Sequence, residues 1–162
     1  MWKRIKPYIL PFAIAIAIPL AVGLLSAFLT KDNMNIYEKI TTPPLSPPAL
    51  VFPIVWTILY VLMGISSGLV YINREKAPQI AGKAFYYYSL SLVANFLWSI
   101  IFFNLGAFLF AFVCLVALLY FIIRTIICYN TISPVAAYLQ IPYAVWVAFA
   151  GYLNLAIFLL NM

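Results

Sequence analysis

The sequence predicts an all-α membrane protein, a bundle of five transmembrane helices. Hydrophobic residues make up 67% of the 162-residue chain and charged residues only 7%, and the mean hydropathy is +1.11. A soluble chain of this length could not bury so much apolar surface. The apolar residues form long continuous runs, which excludes the alternating strands of a membrane β-barrel. We therefore expect a single membrane domain over residues 1–162.

Each predicted helix is bounded by polar or turn residues. The first apolar run is long enough to cross about 30 Å of hydrocarbon. It is too long for a cleaved signal peptide and has no clear small-residue cleavage site. Proline is tolerated in a first helical turn, so the second helix is predicted to begin near Pro47 to Ala49. The predicted helices cover residues 8–29, 48–72, 84–103, 106–127 and 134–160, with a proline-rich lid loop over residues 30–47.

The basic residues favour one orientation in the membrane. Lys31 and Lys39 lie in the predicted lid loop, and the other seven basic residues lie toward the opposite side: Lys3, Arg4, Lys6, Arg74, Lys76, Lys83 and Arg124. Basic residues concentrate on the cytoplasmic side, so we expect the amino terminus inside and the carboxyl terminus outside, in a bacterial cytoplasmic membrane. The net charge of +6 then needs no nucleic-acid partner.

The composition excludes several kinds of enzyme. The chain has no histidine, so zinc sites, the usual histidine ligation of haem and histidine-dependent triads are not expected. The acidic residues are Asp32, Glu38 and Glu75, all in predicted loops. No carboxylate pair is therefore available for a proton relay. We predict no metal site and no conventional catalytic residue.

Polar and aromatic residues mark the interior of the predicted bundle. Asn95 lies in the middle of the third helix, where an amide facing lipid would leave its donors unsatisfied, so it is expected to point inward. Packing between helices and contact with a ligand both remain open for it. Three predicted helices carry aromatic stripes at helical spacing, typical of core packing, of an interfacial belt or of a ligand site. The stripes contain Trp56 and Tyr60, then Trp98 and Phe102, then Pro142, Trp146 and Phe149.

Gly64 and Gly68 form a GxxxG pair in the second predicted helix. This spacing lets two helix backbones approach closely. The partner is either another helix of the same chain or a second subunit, so a homodimer remains open.

Three ordered motifs carry a family resemblance. They are VWTILYVLMG from Val55 to Gly64, NFLWSIIFF from Asn95 to Phe103, and PYAVWVAFAGYLN from Pro142 to Asn154. Together with the proline-rich approach from Pro43 to Pro48, they make the chain similar to the translocator protein family. This is the TspO/MBR group, also called tryptophan-rich sensory proteins or peripheral-type benzodiazepine receptors.

The resemblance implies a pocket between the helices, beneath the first loop, that binds porphyrin or haem without a covalent cofactor. The expected partners are a tetrapyrrole or another flat apolar small molecule, with membrane lipid around the bundle. Together with the aromatic stripes, it gives these candidate ligand-binding residues: Tyr37, Pro47, Pro48, Phe52, Trp56, Tyr60, Asn95, Trp98, Ser99, Pro142, Tyr143, Trp146 and Phe149. Trp56 and Trp146 are expected to share one cavity with Asn95.

Three functions are compatible with such a pocket. We favour a tetrapyrrole-binding sensor or regulator of porphyrin or stress metabolism. The alternatives are a light- and oxygen-dependent porphyrin-degrading enzyme that works through Trp56 and Trp146, and a carrier of porphyrins, lipids or other small apolar molecules. Ile36 stands where the family usually has a loop tryptophan, so we expect the lid to grip ligands differently. Many relatives have an aspartate in the part of the fourth helix where this chain has Phe112, Val113 and Cys114, which argues against acid-assisted chemistry.

The predicted orientation is tested by cysteine accessibility. Asn33→Cys, in the lid loop, should react with an impermeant thiol reagent only from outside, and Gln79→Cys only from inside, because the basic residues place these loops on opposite sides. Labelling of both positions from one side, or of Asn33→Cys only from inside, would contradict the predicted topology.

Overall fold

The protein is described here by a computed structural model, which covers the backbone of residues 2–162 and the side chains of residues 8–162. The predicted positions of Lys3, Arg4 and Lys6 concern side chains outside that range. Within it, five helices are long and apolar enough to cross a membrane, and the described backbone contains no strand. The prediction of an all-α membrane bundle is confirmed.

The described residues form six α-helices, and one of them is too short to span a membrane. Their bounds are α1 (Trp2–Thr30), α2 (Ile36–Lys39), α3 (Val51–Ile72), α4 (Pro78–Ser99), α5 (Phe108–Ile132) and α6 (Pro134–Leu160). A π-helical turn, Ile100–Asn104, continues α4. The short α2 lies within the connection between α1 and α3, and we call residues 31–50 the lid and that end of the bundle the lid end.

The helix limits follow local chemistry more closely than they follow hydropathy. α6 occupies the predicted residues 134–160, since Pro134 stands in its first turn and the Ser133 side chain accepts a hydrogen bond from the Ala136 backbone N–H. α4 starts at Pro78, not at residue 84, because polar residues can continue a helix beyond the hydrocarbon. For the same reason α5 continues to Ile132, past residue 127. α3 starts at Val51, later than the predicted residue 48.

The membrane helices form a closed ring. α1 packs on α3, α3 on α6, α6 on α5 and α5 on α4, and α4 returns to α1. The buried core lies inside this ring and is continuous from α3 to α6. Helices that follow each other in sequence are therefore not always neighbours, since α3 lies beside α6 and has little contact with α4.

α1 and α3 approach most closely in the half of the bundle away from the lid. A Cβ atom placed on Gly64 would overlap the backbone of Ile16, and one placed on Gly68 would lie 2.6 Å from the Phe12 ring. Only a residue without a side chain leaves room for such a contact. The GxxxG pair therefore packs within the chain, against α1.

Hydrogen bonds between side chains connect α3 and α6. The Ser66 hydroxyl donates to the carbonyl of Ala136 over 2.7 Å, and the Gln140 amide donates to the Ser66 hydroxyl over 3.2 Å. Ser66 and Gln140 are both fully buried. Satisfying these polar groups inside the bundle stabilises it, because lipid offers them no partner.

Gly64→Ala should destabilise the bundle, because the added methyl group has no room against α1. Overpacking of this kind costs about 1–3 kcal/mol. Gly151→Ala is the matched control, since a Cβ atom at this helical position meets nothing within 4 Å. Thermal unfolding of the purified protein in detergent should show a lower midpoint for Gly64→Ala and no loss for Gly151→Ala. Equal midpoints in the two variants would show that the contact between α1 and α3 is not tight.

Candidate functional site

A cavity of about 310 Å³ lies in the lid half of the bundle, between α1, α3, α4 and α6. Its wall is mainly apolar. Aromatic residues from the lid and three helices form much of it: Tyr37, Phe52, Trp56, Tyr60, Trp98, Phe102, Phe103 and Trp146. An apolar concave wall with a few polar atoms is typical of small-molecule sites.

Trp56 is the centre of the aromatic wall. Its ring stacks on Tyr60, with centroids 5.6 Å apart and planes 28° from parallel, and lies 6.0 Å from the Trp98 ring. Tyr60 and Trp98 are buried, whereas Trp56 is only half-buried and lines the cavity. Its neighbours therefore hold the indole in place while part of its surface faces the cavity.

A second group of aromatic rings extends from the lid to α6. Tyr37 of α2 meets Phe52 edge-on at 5.3 Å, and Phe52 meets Trp146 edge-on at 5.9 Å. All three residues line the cavity. Movement of the lid would therefore change the shape of the cavity directly.

The amides near the cavity are used to join helices. The Trp98 indole N–H donates to Asn154 Oδ1 over 3.1 Å, and Asn154 Nδ2 donates to the carbonyl of Phe108 over 2.7 Å. Asn95 Nδ2 donates to the Tyr143 hydroxyl over 3.1 Å. Asn154 thus links α4, α5 and α6, and Asn95 links α4 to α6.

Three buried polar atoms in the cavity wall have no hydrogen-bond partner among the described residues. They are the Ser26 hydroxyl, the Tyr37 hydroxyl and the indole N–H of Trp146. Buried polar groups in proteins are nearly always hydrogen-bonded. Each of these three atoms is closed off from the cavity as the side chains stand, so a ligand could bond to them only after the side chains turn.

The structure brings seven of the predicted ligand-binding residues into the cavity wall: Tyr37, Phe52, Trp56, Tyr60, Trp98, Ser99 and Trp146. The other six lie outside it: Pro47, Pro48, Asn95, Pro142, Tyr143 and Phe149. Trp56 and Trp146 share one cavity, as expected, but Asn95 does not join them.

These residues lie outside the wall for different reasons. Asn95 and Tyr143 are each 1% exposed and bond to each other in the interior of the bundle. Pro142 is exposed on the outer surface of α6. Phe149 packs behind the cavity, between Trp146 and Tyr152. Pro47 and Pro48 belong to the part of the lid that precedes α3 without reaching the cavity.

Sequence reasoning missed the contribution of α1 to the site. Six residues of α1 line the cavity: Leu20, Gly23, Leu24, Ser26, Ala27 and Thr30. Four of them are small or hydroxyl-bearing and recur at i, i+3, i+4 and i+7, the spacing of one helix face. That spacing was the available signal, and the aromatic stripes of the other helices obscured it.

The π-helical turn at the end of α4 positions two further wall residues. The Leu105 backbone N–H donates to the carbonyl of Ile100 over 3.2 Å, an i to i−5 bond. Single π-helical turns often occur at functional sites. Here the turn contains Phe102 and Phe103, and both contribute to the cavity wall.

The cavity opens sideways between α1 and α3. Leu24 and Ala27 of α1, and Pro53 and Thr57 of α3, line the cavity and are also exposed on the outside of the bundle. The Thr57 hydroxyl donates to the carbonyl of Pro53 over 2.7 Å. The rim therefore presents mainly apolar surface, and we call this opening the lateral slit.

Polar contacts hold the lid to α6 and to Asn161, the residue that follows it. Asn161 Oδ1 accepts from the Thr41 backbone N–H, and Asn161 Nδ2 donates to the Thr41 carbonyl, both over 2.9 Å. The Tyr152 hydroxyl donates to the carbonyl of Pro44 over 3.1 Å. These bonds are exposed, so water competes for them and the lid can be released at modest cost.

Comparison with known proteins confirms the family resemblance. Residues 15–160 match the profile of the TspO/MBR family. The chain is 35% identical over 154 residues to the tryptophan-rich protein TspO of Chlorobaculum tepidum, covering 94% of this chain and 97% of that protein. It is 37% identical over 156 residues to its namesake in Archaeoglobus fulgidus, covering 94% and 98%.

A third relative has a name that refers to function. The chain is 29% identical over 152 residues to the tryptophan-rich sensory protein of Cereibacter sphaeroides, covering 94% of this chain and 90% of that protein. The match to the family profile, the coverage of the relatives and the five helices able to cross a membrane lead to one conclusion. This chain is an integral membrane protein of the TspO/MBR family.

Proposed function

We propose that this protein binds a flat apolar small molecule of the tetrapyrrole class, porphyrin or haem, and acts as a sensor or regulator of porphyrin or stress metabolism. The observation that carries the proposal is the half-buried face of Trp56 in an apolar cavity that also contains Trp146. Aromatic faces stack favourably on flat conjugated rings. The sensory role is supported by the name of the Cereibacter sphaeroides relative.

The polar atoms of the cavity fit the edge of such a ligand. A porphyrin is apolar over its faces and carries carboxylates on one edge. The Tyr37 hydroxyl and the Trp146 indole N–H have no protein partners among the described residues, and they would donate to those carboxylates once their side chains turn toward the cavity. Lys31 and Lys39 belong to the lid end, where their positive charge would attract the same carboxylates.

The size of the cavity bears on how a tetrapyrrole would fit. Small-molecule sites have volumes of about 300–1,000 Å³, and this cavity, at about 310 Å³, is at the lower limit. We propose that the macrocycle extends into the lateral slit. Because the chain has no histidine, stacking and edge hydrogen bonds would hold the ring, without the usual ligation of iron by histidine.

Two other functions use the same cavity. A light- and oxygen-dependent degradation of porphyrin would draw electrons from Trp56 and Trp146, which both line the cavity. A carrier of small apolar molecules would exchange them with the bilayer through the lateral slit. We favour sensing, with the protein in a bacterial cytoplasmic membrane and its amino terminus inside.

Trp56→Ala should weaken porphyrin binding about tenfold, because it removes a stacking face worth about 1–2 kcal/mol. Quenching of tryptophan fluorescence by protoporphyrin measures the affinity of the wild type, and porphyrin absorbance measures that of the variants. Trp56→Phe should keep most of the affinity. Tyr86→Ala, which removes an exposed ring far from the cavity, should bind as the wild type does. Unchanged affinity in both Trp56→Ala and Trp146→Ala would place the site elsewhere.

A double variant, Trp56→Phe with Trp146→Phe, separates sensing from degradation. Phenylalanine keeps an apolar ring but is a far poorer electron donor than indole, so the variant should still bind porphyrin. For a sensor, porphyrin absorbance in light and oxygen should fall slowly or not at all, and equally in wild type and variant. Rapid bleaching by the wild type that the double variant lacks would make the protein a catalyst.

A further inference from the structure

Arg124 is a cation within a membrane-spanning helix, and the proposed function does not use it. It lies in α5, in the half away from the lid, and is only half-buried. The three acidic residues, Asp32, Glu38 and Glu75, lie outside both α5 and α4, the helix beside it. A charge inside a span is costly unless it is paired or serves a function, so a compensating anion is expected.

The guanidinium of Arg124 rests on an aromatic ring and leaves hydrogen-bond donors unused. Its Cζ lies 5.0 Å from the centroid of the Tyr87 ring in α4. Its Nε is buried and has no hydrogen-bond partner within residues 8–162. The Tyr87 face holds the guanidinium by a cation–π contact, so its remaining donors can bind a planar or tetrahedral anion.

Arg74 provides an internal comparison. Its guanidinium also lies over a tyrosine ring, 4.0 Å from the centroid of Tyr71, but its Nη1 donates to the Tyr71 carbonyl over 2.7 Å. Arg74 lies in the connection between α3 and α4, whereas Arg124 lies within a span. Arg74 thus has a hydrogen-bond acceptor close by in the chain, whereas the Nε of Arg124 has none among the described residues.

A second cation lies on the same face of α4. Lys83 is four residues before Tyr87, one helical turn closer to the start of α4, and it is exposed. Tyr86, 62% exposed, packs edge-on against Tyr87 at 5.6 Å. Exposed tyrosines of this kind mark the level of the lipid headgroups. Lys83 and Arg124 therefore flank Tyr87 close to that level.

We propose that Arg124 and Lys83 bind the phosphate of an anionic phospholipid in the groove between α4 and α5, in the leaflet away from the lid. The acyl chains would run from Arg124 toward the middle of the bilayer, along exposed apolar residues of α5 such as Val116 and Val113. A lipid phosphate fits this position better than a free anion, because it arrives with chains that match the surrounding surface. The site is separate from the cavity, so it does not depend on the proposed function.

The test compares lipid binding by matched arginine variants of the full chain. The protein, purified in neutral detergent, is mixed with phosphatidylglycerol, phosphatidylcholine or soluble glycerol phosphate, and bound lipid is counted by native mass spectrometry. Each cation near the surface contributes about fivefold to affinity for anionic lipid. Arg124→Gln should therefore lower phosphatidylglycerol binding about fivefold, and Arg124→Gln with Lys83→Gln by more.

Arg74→Gln is the matched control, because it removes the same charge at the same end of the bundle and should bind phosphatidylglycerol as the wild type does. Arg124→Lys keeps the charge and should retain more binding than Arg124→Gln, which separates charge loss from misfolding. Equal losses of phosphatidylglycerol binding in Arg74→Gln and Arg124→Gln would show that the lipid responds to the positive charge of this end of the bundle in general, and would overturn the proposal. Glycerol phosphate binding as tightly as the lipid, or no loss in Arg124→Gln, would also overturn it.

Discussion

The close contact between α1 and α3 determines where this bundle can hold a cavity. At Gly64 the two helices touch almost backbone to backbone, and at Gly68 the Phe12 ring fills the space against the glycine, so the half away from the lid has no room between them. Toward the lid, the small residues of α1 face aromatic side chains of α3 instead. Gly23 lies directly against the Tyr60 ring, where any added Cβ would overlap it. The cavity lies on the lid side of the contact at Gly64 and Gly68, and Gly23 and Tyr60 form part of its wall.

The buried amides have a related structural role. Asn95, Gln140 and Asn154 are each 1% exposed and each bonds across helices. In hydrocarbon such groups need partners inside the protein, and here they find them in neighbouring helices. In the cavity wall, the buried polar atoms without a partner among the described residues belong instead to the lid, α1 and α6, at Tyr37, Ser26 and Trp146. The site combines a rigid aromatic wall with polar groups near a releasable cover.

The sequence predicted the fold well because hydropathy over some twenty residues outweighs local preferences in lipid. It predicted α6 to the residue, since Ser133 and Pro134 begin that helix. It predicted Trp56 and Trp146 in one cavity, but not the separation of Asn95 from them. A stripe shows which residues share a helix face, and it does not show which neighbour that face meets. Asn95 meets Tyr143 because α4 lies across the bundle from α6, which depends on the order of helices in the ring.

The lateral slit between α1 and α3 has a consequence for how affinity is measured. Solutes that reach the cavity through an apolar rim come from the bilayer, where a flat apolar molecule is far more concentrated than in the surrounding water. The relevant concentration is then moles of solute per mole of lipid. Adding more vesicles at constant protein and solute dilutes the solute within the membrane and weakens the apparent affinity, although no contact in the protein has changed.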